Sequence, residues 1–149
     1  MRLATGDDAA AIGRLLHDFN VEYDESTPAP EQLAARVREL LLADRIVVLL
    51  AGEGPEGFAL LRFHPSLYSR GLECYLAELY VVPDRRGRGL GRALMEAAVE
   101  EARGRGADYM FLGTSEDDVA ARGLYERFGF TNREHPPDGP LMYVYEREL

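Results

Sequence analysis

Leu79-Tyr-Val-Val-Pro-Asp-Arg-Arg-Gly-Arg-Gly-Leu-Gly91 is an apolar strand that stops at a proline, enters an Arg/Gly loop and runs into a helical pattern. Gly87, Gly89 and Gly91 let the backbone bend sharply and bring its N–H groups close to a ligand. The first turn of the following helix leaves further N–H groups unpaired, and its positive dipole end favours an anion. Strand, glycine loop and helix in this order describe a phosphate seat. Four arginines, Arg85, Arg86, Arg88 and Arg92, form a positive island on a chain of formal net charge -9. A solvated surface loop has the same composition. Position between a strand and a helix is what favours phosphate.

Working outward, Glu73 to Val82 reads as a long strand and Leu90 to about Arg103 as a helix ended by Gly104 to Gly106. Strict alternation places Leu76, Glu78, Tyr80 and Val82 on one face of the strand, with Tyr75, Ala77, Leu79 and Val81 on the other. Upstream, Arg2 to Ala4 suits a short strand. Thr5 or Asp7 can cap a helix carrying Ile12, Leu15, Leu16 and Phe19, and a second amphipathic helix starts near Glu31 with Leu33, Val37, Leu40 and Leu41 inward. The continuous apolar run within Arg45 to Ala51 predicts a strand covered on both faces. Gly52 to Gly57 forms a turn, and Phe58 to Phe63 the returning strand. Downstream come a short strand at Tyr109 to Leu112, a helix from Asp117 to Phe128 stopped by Gly129, and a final strand at Leu141 to Tyr145. This order predicts one α/β domain over residues 1–149, a three-layer sandwich with a mixed central sheet flanked by about four helices and right-handed parallel crossovers in its second half.

Composition narrows the function. With 46% hydrophobic and 29% charged residues the chain is ordinary for a globular protein, and 149 residues can bury a core without staples. No apolar run approaches the ~20 residues of a membrane span and no signal-peptide pattern opens the chain, so a cytoplasmic location is the default expectation. Cys74 is the only cysteine, which forbids an internal disulfide, and it reads as a small residue in or beside a strand. His17, His64 and His135 lack metal-ligand spacing, and no metal is expected. The acidic chain lacks the broad basic surface nucleic acid demands; cationic partners are electrostatically easier.

Arg86-Gly-Arg-Gly89-Leu-Gly91 resembles the Arg/Gln-x-x-Gly-x-Gly/Ala acyl-CoA pyrophosphate loop of the GCN5-related N-acetyltransferase (GNAT) family. Leu124-Tyr-Glu-Arg-Phe-Gly-Phe130, about 35 residues further on, is similar to that family's later helix, and the order of elements matches nearly end to end. The resemblance implies acetyl-CoA as co-substrate. Its pyrophosphate would be held by Arg86, Gly87, Arg88, Gly89, Leu90, Gly91 and Arg92, chiefly through backbone N–H groups. Leu79, Tyr80, Val81 and Val82 would run beside the pantetheine arm, where the strand splays from its neighbour. Tyr125 would be the acid that protonates the departing thiolate; by spacing alone, Leu124, Tyr125 and Phe128 form a core stripe. Where many relatives have Asn seven residues before the Tyr, this chain has Asp118, a cofactor neighbour whose charge would repel phosphate.

An alkyl amine of pKa ~10.4 is more than about 99% protonated at pH 7 and must lose a proton before it attacks a thioester. Glu78, a carboxylate among apolar neighbours, suits both the base and the anchor for the ammonium, or else a salt-bridged strand residue; a water relay or Glu73 remains open for the base. Glu22, Tyr23, Asp24 and Tyr68 are candidate acceptor contacts, the acids otherwise being solvated loop charges. The expected reaction is direct acetyl transfer to a primary amine, with a small cationic acceptor of the polyamine or amino-sugar type. A peptide or protein amino group and a non-catalytic acyl-CoA-binding module are the rivals. Exposed sheet edges and the C-terminal strand suggest a homodimer.

Overall fold

Backbone pairing in the computed structural model, which describes residues 1–149, builds one five-stranded sheet. Its strands are β1 (Arg2–Leu3), β2 (Val47–Ala51), β3 (Gly57–Pro65), β4 (Leu72–Val81) and β5 (Ala107–Phe111), lying side by side in chain order. The first three pairings are antiparallel, and β4–β5 is parallel. Short connections join β2 to β3 and β3 to β4, while β1 reaches β2 through the two helices between them. The parallel pair needs a crossover, which is helix α3 (Leu90–Gly104). The sheet is therefore mixed, as the sequence order predicts.

Helices α1 (Ala9–Glu22) and α2 (Pro30–Leu42) cover one face. Ala9, Ile12, Leu15 and Val37 pack there with Val48, Leu50, Phe58, Leu60 and Tyr80. The two helices cross closely at Gly13, where a Cβ would stand 2.6 Å from the Pro30 carbonyl oxygen. Thr5 and Asp8 close a reciprocal cap at the turn before α1, and the Asp8 carboxylate also takes both Nη atoms of Arg2 at 2.7 and 2.8 Å. Helix α3 contacts β2, β3, β4 and β5, burying Leu94, Met95, Ala98 and Ala102. All five residues of β2 are buried, which explains its uninterrupted apolar run.

These elements form one compact unit, Met1–Phe111; Leu112–Leu149 form a second, with α4 (Val119–Arg127) as its helix. The strand expected at Leu141 to Tyr145 does not form. Leu141 makes an isolated antiparallel bridge to Arg133, and the Met142 N–H donates to the Asn132 carbonyl at 2.7 Å. No ladder follows, and Tyr143, Val144 and Tyr145 are exposed. Alternation gives a strand its faces, but a strand also needs a neighbouring backbone, and here pairing ends after two residues.

Candidate functional site

After β4 the chain turns at once. Pro83–Arg85 is a single 3-10 turn, Arg86 is extended, and Gly87 and Gly89 take positive φ of 72° and 82°. Gly89 is the N-cap of α3 and supplies no side-chain cap. The Ala93 N–H donates to the Gly89 carbonyl at 2.9 Å, so the N–H groups of Leu90, Gly91 and Arg92 precede the helical ladder. A Cβ at Gly87 or Gly89 would meet nothing within 4 Å. Glycine is required for backbone conformation, and the space above the loop is open.

The four arginines differ in their commitments. Arg85 pairs with Glu56 at 3.0 Å, and Arg92 pairs with Glu96 one helical turn on at 2.9 Å. Arg86 donates through Nε to the Val81 carbonyl at 2.9 Å and through both Nη atoms to Glu22 at 2.6 and 2.9 Å. Its guanidinium also lies 5.6 Å from the Tyr80 ring centroid, and the Tyr80 hydroxyl donates to the same Glu22 carboxylate at 3.1 Å. The Arg86 hydrogen bonds hold the Glu22 carboxyl below its usual range despite some desolvation. Burial, with the Glu22 contact, pushes the Tyr80 phenol up to about 12. Arg88 has no partner within the protein, so it carries the loop's uncommitted charge. Glu22, expected beside an acceptor amine, is thus engaged by the loop. Sequence reading misses this because the two residues are 64 positions apart.

Strand β4 carries two irregularities. Leu60 opposes Glu78 while the next residue, Leu61, opposes Leu76, so Ala77 is an extra residue on β4. Adjacent residues of β3 face opposite ways, and their partners do too. Leu76 therefore lies on the face opposite Glu78 and Tyr80, which corrects the strict alternation, and Ala77 packs toward the α1/α2 core. A bulge leaves no mark in a run of strand-forming residues, so it was invisible to periodicity. Pairing with β5 ends at Tyr75–Phe111, and from Leu76 to Val81 β4 has no strand partner on that side. This is the stretch expected to splay.

Glu78 accepts no hydrogen bond and forms no ion pair. Burial raises its carboxyl pKa, and the positive charge of Arg62 partly offsets this. Arg62 is a neighbour the sequence reading did not name; it opposes Tyr75 across the bulge. Glu73 is occupied, receiving the Ser66 hydroxyl at 3.3 Å and lying 3.7 Å from His64 Nδ1. Cys74 is buried and its thiol is pushed up to about 11 by desolvation, which suits packing and not nucleophilic attack. Among the acceptor candidates, Tyr23 lies edge-on to Phe19 at 5.2 Å. Asp24 has a positive φ of 56°, and Tyr68 is 95% exposed on the β3–β4 loop.

In the second unit, Asp118 caps α4, its Oδ1 accepting the Ala121 N–H at 3.0 Å. Tyr125 is half-buried, its ring 6.3 Å from that of Phe130. Gly129, at φ 84°, ends the helix and lets the Phe130 N–H return to the Tyr125 carbonyl at 3.1 Å. Leu124-Tyr-Glu-Arg-Phe-Gly-Phe130 is thus a helix end with a left-handed stop.

A glycine loop closing a strand onto an unpaired helix N-terminus, beside a strand that parts from its parallel neighbour, offers an anion seat next to free backbone hydrogen-bonding groups. The family described as "Acetyltransferase (GNAT) family" matches residues 11–130, and the chain belongs to it. It is 30% identical over 132 residues to the uncharacterized N-acetyltransferase YhfO of Bacillus subtilis (strain 168), covering 87% of this chain and 88% of that one. A crystal structure from Arthrobacter sp. FB24, provisionally described as an acetyltransferase, is 44% identical with TM-score 0.89, over 99% of this chain and 94% of the other. Against the mycothiol acetyltransferase of Thermobispora bispora, identity is 41% over 78 residues, half of this chain and 26% of that protein. No helix is long and apolar enough to cross a membrane.

Proposed function

We propose that this acetyltransferase uses acetyl-CoA to acetylate a primary amine, and that its acceptor is a small cationic molecule. The observation that carries the cofactor is the open loop at Gly87–Gly89, leading into α3 N–H groups that precede the helical ladder, with uncommitted Arg88 between the glycines. The donor set suits a diphosphate: backbone N–H groups, a helix N-terminus and one uncommitted cation. The unpaired edge of β4 from Leu76 to Val81 offers backbone groups to an amide-bearing arm, and Leu79, Tyr80, Val81 and Val82 would line it. Acetyl-CoA, when bound, supplies the activated acyl group.

Glu78 is the group we assign to the amine. A carboxyl desolvated and without an internal partner attracts an ammonium ion and, with its raised pKa, is a stronger base than an exposed glutamate. Tyr125 would return a proton to the departing thiolate. The net charge of -9 favours a cationic acceptor, which the exposed Asp24, Tyr23 and Tyr68 would contact. The reading includes a homodimer in the cytoplasm, since β1 and β5 both present sheet edges.

A thiol-release screen tests it. Purified protein with acetyl-CoA and a panel of polyamines, amino sugars, amino acid derivatives and peptides should release free CoA with a small cationic amine, and mass analysis should find that amine heavier by one acetyl group. Saturable CoA binding without release from any amine would leave a binding module. Absence of CoA binding at millimolar concentration would remove the cofactor assignment.

A further inference from the structure

We infer that Arg86 and Glu22 are a positioning pair for the pyrophosphate loop: Arg86 clamps the loop to the end of α1 and to the β4 backbone, and leaves phosphate charge to Arg88. The inference rests on the CoA reading above and assigns Glu22 to the cofactor side of the reaction.

Arg86 uses both arms of its guanidinium on Glu22 and its Nε on the Val81 carbonyl. Planar fork geometry makes these three bonds stand or fall together, so turning toward a ligand would forfeit all of them. Glu22 in turn accepts from Tyr80, which is 5% exposed and stacked on Phe19 at 5.1 Å, so the clamp is fixed to the core. A loop with two positive-φ glycines has little stiffness of its own. The clamp at Arg86, with a second strut from Arg85 to Glu56, supplies it just before those glycines. Arg86 also supplies the counter-charge to a carboxylate that would otherwise be bonded only to the neutral Tyr80 hydroxyl near a diphosphate seat.

Calorimetric titration of CoA into wild type, E22Q, R86Q, R88Q and the E22Q/R86Q double variant separates the possibilities. We expect E22Q to weaken CoA about tenfold with an unchanged salt dependence of Kd. R86Q should weaken it further, and E22Q/R86Q should bind better than R86Q because the stray carboxylate is gone. R88Q should weaken binding and flatten the salt dependence. Y80F, which removes only one bond to Glu22, should give a smaller loss in the same direction as E22Q. An E22Q protein that binds CoA as tightly as wild type or more so would overturn the inference. So would one whose only defect is a raised KM for the amine. Hydrogen exchange on the ligand-free protein tests the clamp apart from the cofactor. E22Q should speed exchange of the Arg85, Arg86 and Ala93 amides, whose hydrogen bonds flank the loop, with the rest of the chain unaffected; wild-type exchange there refutes the clamp even if CoA proves not to be the ligand.

Discussion

Gly89→Ala isolates what the loop does, because a matched control exists in the same unit. Gly89 and Gly106 have nearly equal φ, 82° and 87°, and a Cβ at either would meet nothing within 4 Å. Alanine at each therefore meets the same penalty, about 1–2 kcal/mol for a side chain in the left-handed region, with no clash against the protein. For a chain of this size the penalty should lower Tm by about 2–8 °C in both variants. Only Gly89 stands at the N-cap of α3, where Leu90, Gly91 and Arg92 present their N–H groups. Misplacing one charge-assisted bond to a diphosphate costs about 1.5–3 kcal/mol, so CoA should bind G89A roughly 10- to 150-fold more weakly. G106A should bind it as wild type does. Scanning calorimetry gives the stability arm and isothermal titration the binding arm. Equal CoA affinity in both variants would refute the phosphate seat, and unequal Tm losses would refute the claim that conformation alone requires these glycines.

Three further outcomes are expected. Y125F should lower kcat at least tenfold and leave the Kd for acetyl-CoA unchanged, measured by steady-state kinetics and titration; unaltered turnover removes the acid role. E78Q should abolish most activity, and the acidic limb of the wild-type kcat/KM profile should lie above pH 4.5, the ordinary value from which burial raises this carboxyl. Because folding favours its protonated form, ionised Glu78 weakens the fold above its raised pKa, so E78Q should be the more stable protein at pH 7 and lose that advantage below about pH 4. Asp8 has the opposite sign: its pairing with Arg2 and the Thr5 N–H holds its pKa well below 3.8. D8A should lose about 1–2 kcal/mol at pH 7 in urea unfolding, and the difference should shrink as pH falls below 3.8.

Several elements were legible from local pattern. The Val-Val-Leu-Leu run gave β2, the spacing of Ile12, Leu15, Leu16 and Phe19 gave α1, and the three-glycine stretch gave the turn into α3. Others misled for physical reasons. Leu141 to Tyr145 has strand-like alternation but only two backbone pairings. The N-cap bond from the Ala121 N–H to Asp118 went unread in the sequence. Glu22 and Asp24 look alike in sequence, one committed to Arg86 and the other an exposed residue at positive φ.

What the sequence alone determined is the glycine loop between β4 and α3, because glycine freedom, a proline stop and a helix N-terminus act within a dozen consecutive residues. Tertiary structure decided the rest of the site. The bulge at Ala77 that moves Leu76 to the far face, the end of β4–β5 pairing at Tyr75, and the choice of Glu22 as partner to Arg86 all depend on strand register and on residues distant in the chain. Such contacts form only once the sheet fixes which backbones lie side by side, and no local periodicity encodes that.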